Sequence, residues 1–225
     1  MPIIPHANAT KVATSLRKKH LLILGASLIA LGALMSLWLQ REPLENLGED
    51  NRMGKSGLFA NWDEGDVVVL VRHAERCDRS SGPCLGDKSG ITVSGNAAAD
   101  GVGSAFKALG LGNVDIFASP RLRTVQTANS MFDISIATRD WLANCRSTLT
   151  QNMLDHKQAR RNLLLVTHSG CIEGVAKALG DSRAEHDSEY ASALFVFVDR
   201  ASGRPRLLGY MNAEDLQRFV GETQG

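Results

Sequence analysis

Aromatic residues are scarce in this chain of 225 residues, making up 5% of it. That leaves little on which nucleic-acid bases would stack. Neither sign of charge is in excess: the formal net charge is +1. With no basic face in sight, nucleic acid is not an expected partner. No CxxC or HxxxH spacing occurs, so the ligand pattern of a zinc site is missing. Neither a metal nor a cofactor is expected. No internal repeat is visible. What remains is a chain 44% hydrophobic and 22% charged, which fits one globular domain with an appendage.

The appendage is a long run without charge. Residues 21–39 read LLILGASLIALGALMSLWL. As a helix rising about 1.5 Å per residue, this run just crosses a hydrocarbon core of roughly 30 Å. Lys11, Arg17, Lys18, Lys19 and His20 precede it; Glu42, Glu45, Glu49 and Asp50 follow it. The positive-inside rule puts the N-terminus in the cytoplasm and the rest beyond the membrane. A cleaved signal peptide is the competing reading, but Trp38, Leu39 and Gln40 make a poor small-x-small exit. The expected organisation is a basic cytoplasmic segment at 1–20, a transmembrane signal anchor at 21–39, a juxtamembrane linker at 40–62 and a folded domain at 63–225. Nothing in the residues sets an oligomeric state.

Export makes sense of Cys77, Cys84, Cys145 and Cys171. In an oxidising compartment an even count points to two disulfides. Three pairings are possible. Cys77 and Cys84 flank the turn-forming DRSSGP and are the first candidates for a pair. Whether Cys145 meets Cys171 stays open.

Short apolar runs at 67–71, 114–119, 134–137, 163–167 and 193–198 read as strands buried on both faces. Helical patterns lie between them: about 93–109 before Gly110, from Pro120 to about Met131, and from Ser169 to Gly180. The alternation predicts an α/β fold, with a mostly parallel central sheet sandwiched between helices. In such sheets ligands bind at the carboxyl ends of strands. Arg72 and His73, then Ser119 with Arg121 and Arg123, then His168, all fall at such ends. His156 and His186 fall in polar segments and are not expected there.

Two histidines and several arginines on one sheet edge describe a site for a dianion. The guanidinium fork binds two phosphate oxygens at once, and nearby helix N-termini add backbone donors. A neutral imidazole there attacks phosphorus directly, while arginines stabilise the equatorial oxygens. Neighbouring cations keep the imidazole unprotonated.

VRHAER at 71–76, SPRLRTVQTA at 119–128 and THSG at 167–170 together resemble the histidine phosphatase superfamily. The resemblance spans about 66–198 and implies a phosphoglycerate mutase-like fold. By position it makes His73 the phosphorylated nucleophile, Arg72 and Arg123 phosphate ligands, and His168 a hydrogen-bond donor to the transferring group. It makes Arg76 and Ser119 further substrate contacts. Around 72–95 the chain resembles more narrowly the phosphatases of lipopolysaccharide core heptose, which are periplasmic. It carries THSGC where that group has a more polar segment. The implied partners are a phosphorylated sugar or lipopolysaccharide core and the bacterial inner membrane. Ala74 replaces the family's glycine. At the two places where family members carry the general acid, this chain has Asn144 and Ser169. Asp140, Glu173 and Glu75 are the remaining candidates for the proton donor. A phosphoprotein or phosphohistidine phosphatase, and a non-catalytic phosphate-binding domain, are the alternatives.

Overall fold

The computed structural model describes residues 44–50, 52–145, 147–181 and 188–223, with Ser27, Ile29 and Gly32. The span expected at 21–39 and the basic segment before it otherwise lie outside the described residues, as does His186. Among the described residues no helix is long and apolar enough to cross a membrane.

In chain order the elements are α1 (Arg52–Lys55), α2 (Leu58–Asp63), β1 (Val67–Arg72), α3 (Val93–Leu109), β2 (Val114–Ala118), α4 (Leu122–Phe132), α5 (Leu149–His156), β3 (Asn162–Thr167), α6 (Ser169–Ala178), β4 (Ala193–Val198), β5 (Pro205–Met211) and α7 (Ala213–Thr223). Single 3-10 turns occupy Cys77–Arg79 and Asp140–Leu142.

The strands form one sheet in the order β2-β3-β1-β4-β5. Successive strand side chains point to opposite faces. Val67, Val69 and Val71 therefore enter one core with Trp62, Val102, Phe106 and Met131. Val68 and Leu70 enter another with Leu149, Met153, Ile172 and Val175. This is why the strands read as unbroken apolar runs.

The expected sheet direction needs correcting. β2, β3 and β1 are mutually parallel, but β4 pairs antiparallel with β1, and β5 antiparallel with β4. The sheet is mixed. An apolar run reports burial on two faces and carries no information on direction. Here direction is set by connections, and β4 returns to β5 through a tight turn. In that turn Asp199 Oδ1 accepts from Ser202 N at 2.7 Å, and Gly203 sits at φ 67.

The run at 134–137 is no strand; a single bridge joins Ala118 to Thr138. β5 escaped the pattern because PRLLGYM breaks its apolar run. Its proline occupies the first strand position, where no ladder donor is needed.

The domain boundary also moves. The compact unit starts at Pro43, and much of the expected linker at 40–62 is folded. Leu47, Leu58 and Trp62 are buried; Leu47 N donates to Tyr210 O at 2.8 Å. Trp62 Nε1 donates to Gly110 O at 3.0 Å. These anchors are too sparsely spaced in a polar stretch to show as a pattern.

Candidate active site

Register brings the site together. Arg72 lies opposite Thr167, and Val166 opposite Ala118. The next residues along the three parallel strands are His73, His168 and Ser119. His73 N donates to Thr167 O at 3.0 Å, and Ser119 N to Val166 O at 2.9 Å. The ladder therefore continues one step into the site before the chains turn away. Thr127 of α4 ties the turn after β1 in place. Its Oγ1 accepts from Ala74 N at 2.9 Å and donates to Arg123 O at 2.7 Å.

His73 is 4% exposed. Its Nδ1 lies 2.8 Å from the carbonyl oxygen of Ala74. A carbonyl can only accept, so Nδ1 carries the proton and Nε2 keeps its lone pair. Burial pushes the imidazole pKa down to about 3, and Arg123, His168 and Arg72 push the same way. The Ala74 bond opposes them. The ring of His168 meets that of His73 edge-on, with centroids 5.5 Å apart. Burial, then Arg123, Arg121 and Arg76, lower the pKa of His168 to about 4. Both rings are neutral near pH 7. Arg123 Nη2 approaches His168 Nδ1 at 3.3 Å, and Ser119 Oγ lies 2.9 Å from Nε2. With Arg123 donating to Nδ1, His168 holds its proton on Nε2, towards Ser119. In this state His168 orients Arg123.

These groups border a cavity of about 730 Å³. Arg72, Arg76, Arg79, Arg121 and Arg123 line it with both histidines, Asn144, Ser147, Ser169 and the Cys145–Cys171 pair. Arg72 stacks over Tyr190, 4.0 Å from the ring centroid, and donates to Ser188 O. The Nε atoms of Arg72 and Arg123 are buried without a partner among the described residues. Arg76 is clamped by Asp78, with its Nε 2.8 Å from Oδ1.

The disulfides are Cys77–Cys84 and Cys145–Cys171, with Cα separations of 5.2 and 5.3 Å. The second joins the first turn of α6, three residues past His168, to the loop carrying Asn144.

The expected site residues largely converge: His73, Arg72, Arg123, His168 and Arg76 all face the cavity. Ser119 does not. It is fully buried and touches His168 instead, so it positions that ring rather than contacting substrate. None of the proton-donor candidates lines the cavity. Glu75 accepts from Thr92 Oγ1 at 2.6 Å and Ser94 Oγ at 3.0 Å. Those bonds, Thr92 first, hold its carboxyl below the usual range, the wrong direction for an acid near pH 7. Asp140 is exposed, and Glu173 is half-buried on α6, one turn past the lining residues Ser169 and Gly170.

Tyr190 and Asp78 carry no signal in the sequence, whereas Thr127 falls inside the motif at 119–128. Arg121 falls inside the motif at 119–128, and Arg79 inside the narrower resemblance at 72–95.

No family model matches the chain. Curated relatives do. The lipopolysaccharide core heptose(II)-phosphate phosphatase of Salmonella typhi is 32% identical over 185 residues, covering 81% of this chain and 88% of that protein. Its namesake in Salmonella typhimurium is 32% identical over 186 residues, with the same coverage. Phosphoserine phosphatase of Entamoeba histolytica, solved with 3-phosphoglyceric acid, superposes with a TM-score of 0.52 at 16% identity. It covers 67% of this chain and 98% of its own. The protein histidine phosphatase SixA, solved with tungstate, gives a TM-score of 0.50 at 18% identity, covering 67% and 99%. At these identities the two structures establish a shared fold.

Proposed function

This chain belongs to the histidine phosphatase superfamily, beside the lipopolysaccharide core heptose(II)-phosphate phosphatases, and is a phosphatase; from that premise we propose that it is a metal-independent phosphomonoesterase that carries the phosphoryl group on His73 and removes phosphate from a lipopolysaccharide core heptose in the periplasm.

One observation carries the reading. A buried, neutral His73 has its Nδ1 committed to the Ala74 carbonyl, while Arg72 and Arg123 line the same cavity. Phosphate oxygens are the acceptors that two guanidinium groups beside a neutral imidazole suit. In the first step Nε2 attacks phosphorus, the bond to the leaving oxygen breaks, and that oxygen takes a proton from water in the open cavity. The phosphoryl group is then bonded to Nε2, and the Ala74 carbonyl stabilises the positive ring through Nδ1–H. In the second step water attacks phosphorus, orthophosphate leaves, and His73 returns to its neutral form. Arg72 and Arg123 supply the positive charge that balances the transition state. Two disulfides support an oxidising compartment, as does the charge pattern around residues 21–39.

The test is phosphate release by residues 43–225 from lipopolysaccharide cores with and without heptose phosphate, beside His73→Ala. The expected result is release from the phosphorylated core alone, lost in His73→Ala, with acid-labile phosphate trapped on the wild-type protein. Release that survives in His73→Ala would sink the covalent route.

A second reading, a phosphohistidine phosphatase, is favoured by one feature. No carboxylate lines the cavity among the described residues, and a phosphohistidine needs little help to leave. Hydrolysis of phosphohistidine, with none of any sugar phosphate, would select it.

A further inference from the structure

The cavity holds more positive charge than one phosphate needs. Five arginines line it, and the carboxylate paired with any of them is Asp78, committed to Arg76. A phosphomonoester dianion on Arg72 and Arg123 takes up two further charges. Arg79 and Arg121 are left. Neither guanidinium has a hydrogen-bond or ion-pair partner among the described residues, and both residues are exposed, whereas Arg72 and Arg123 are half-buried. The two spare arginines therefore stand at the mouth and the other pair on the floor.

Sequence and fold place them there independently. Arg79 ends the 3-10 turn Cys77–Arg79, whose first residue is pinned by the Cys77–Cys84 disulfide. Arg121 is the N-cap of α4, two residues before Arg123. Both repel the Arg123 guanidinium and lower its pKa, after the larger effects of burial and Arg76. Like charges gathered around one cavity are unfavourable unless an anion comes between them.

We propose that Arg79 and Arg121 form a second anion subsite at the cavity mouth, so that the preferred substrate is a sugar phosphate carrying another phosphate or carboxylate beside the one removed. This rests on the phosphatase reading given above. The subsite holds the neighbouring group of the same molecule and leaves the reacting phosphate to the floor. It sets selectivity through binding.

The experiment compares a hexose monophosphate with a hexose bisphosphate, using wild type, Arg79→Ala, Arg121→Ala and the double variant. kcat/KM is measured on both sugars, and affinity for both is measured by calorimetry on His73→Ala. Wild type is expected to favour the bisphosphate by about tenfold or more. The double variant should lose most of that preference, through KM rather than kcat. Arg206→Ala removes the same charge from β5, away from the cavity, and should keep the preference. Equal losses on both sugars, or no preference in wild type, would overturn the subsite. If neither sugar is hydrolysed but His73→Ala still binds the bisphosphate more tightly, the catalytic reading fails and the subsite stands.

Discussion

The proposed nucleophile, His73, is oriented by a single backbone carbonyl. Ala74 O fixes the tautomer of His73, and burial keeps the ring neutral. This has a consequence for stability. Unfolded, the histidine takes up its proton near pH 6.5; folded, it does so only near 3. The folded state binds fewer protons between those values, so stability is full above about 6.5 and falls as pH drops towards 3. One proton corresponds to about 1.4 kcal/mol per pH unit. Replacing His73 by Asn should flatten that slope, as read by urea unfolding at a series of pH values; an unchanged slope would contradict the depressed pKa. At Arg123, conversion to lysine removes the fork that spans two oxygens and the contact to His168. We expect kcat/KM to fall by about 100-fold with the fold intact. Thr127 is a latch rather than a substrate group. Thr127→Val would leave Ala74 N–H buried without an acceptor, at about 1–3 kcal/mol, and should slow phosphoryl transfer by loosening the turn beside His73.

Among elements, α3 carries two local devices that hold the site from outside. Thr92 caps it, its Oγ1 accepting from Gly95 N at 2.9 Å while donating to Glu75. Thr92→Ala should cost about 1 kcal/mol in chemical denaturation. Gly103 lies where α3 crosses α4 at the carbonyl of Met131, and a methyl there would overlap that backbone. Gly103→Ala should therefore cost more than the cap, about 1–3 kcal/mol or above, and should disturb Arg123 through α4. A Gly103→Ala protein as stable as wild type would refute this packing. The helices that bear the site behave differently. α4 and α6 begin immediately beyond β2 and β3, so their first turns sit wherever the sheet register puts them. His168 is the N-cap of α6 and lends it no side-chain bond. Its imidazole is thus free for Arg123 and Ser119.

At the scale of the whole molecule, two disulfides cross-link parts that the sheet does not. Cys145–Cys171 spans 26 residues and Cys77–Cys84 spans 7. By loop-closure entropy, removing the longer should cost about 3 kcal/mol and the shorter about 2 kcal/mol. Thermal melts of the paired Cys→Ser variants would measure the order. The longer bridge also holds the loop bearing Asn144 against the start of α6. Its loss should lower kcat/KM as well as stability, and stability loss alone would assign it a purely structural role.

Much of this was present in the residues themselves. Strands β1, β3 and β4 announced themselves as apolar runs because a strand covered on both faces has no polar side to interrupt it; β2, at the sheet edge, was legible despite its Asp115. His73, Arg72, Arg123 and His168 were legible because each follows such a run, and their motifs keep a family's order and spacing. The direction of β4, the folding of residues 44–62 and the pairing of Cys145 with Cys171 were not. Each is settled by contacts between distant parts of the chain, which leave no local pattern. The same holds for the clamp of Asp78 on Arg76, the ring of Tyr190 under Arg72, and Ser119 behind His168. The sequence by itself determined which groups the proposed chemistry uses: histidine and arginine at strand ends are the side chains that phosphoryl transfer to an imidazole needs. Only the tertiary structure decided which nitrogen of His73 is free, that Glu75 is committed to a helix cap, and that the guanidinium groups of Arg79 and Arg121 have no partner among the described residues. Such things depend on distances of a few ångströms across chain separations of tens of residues.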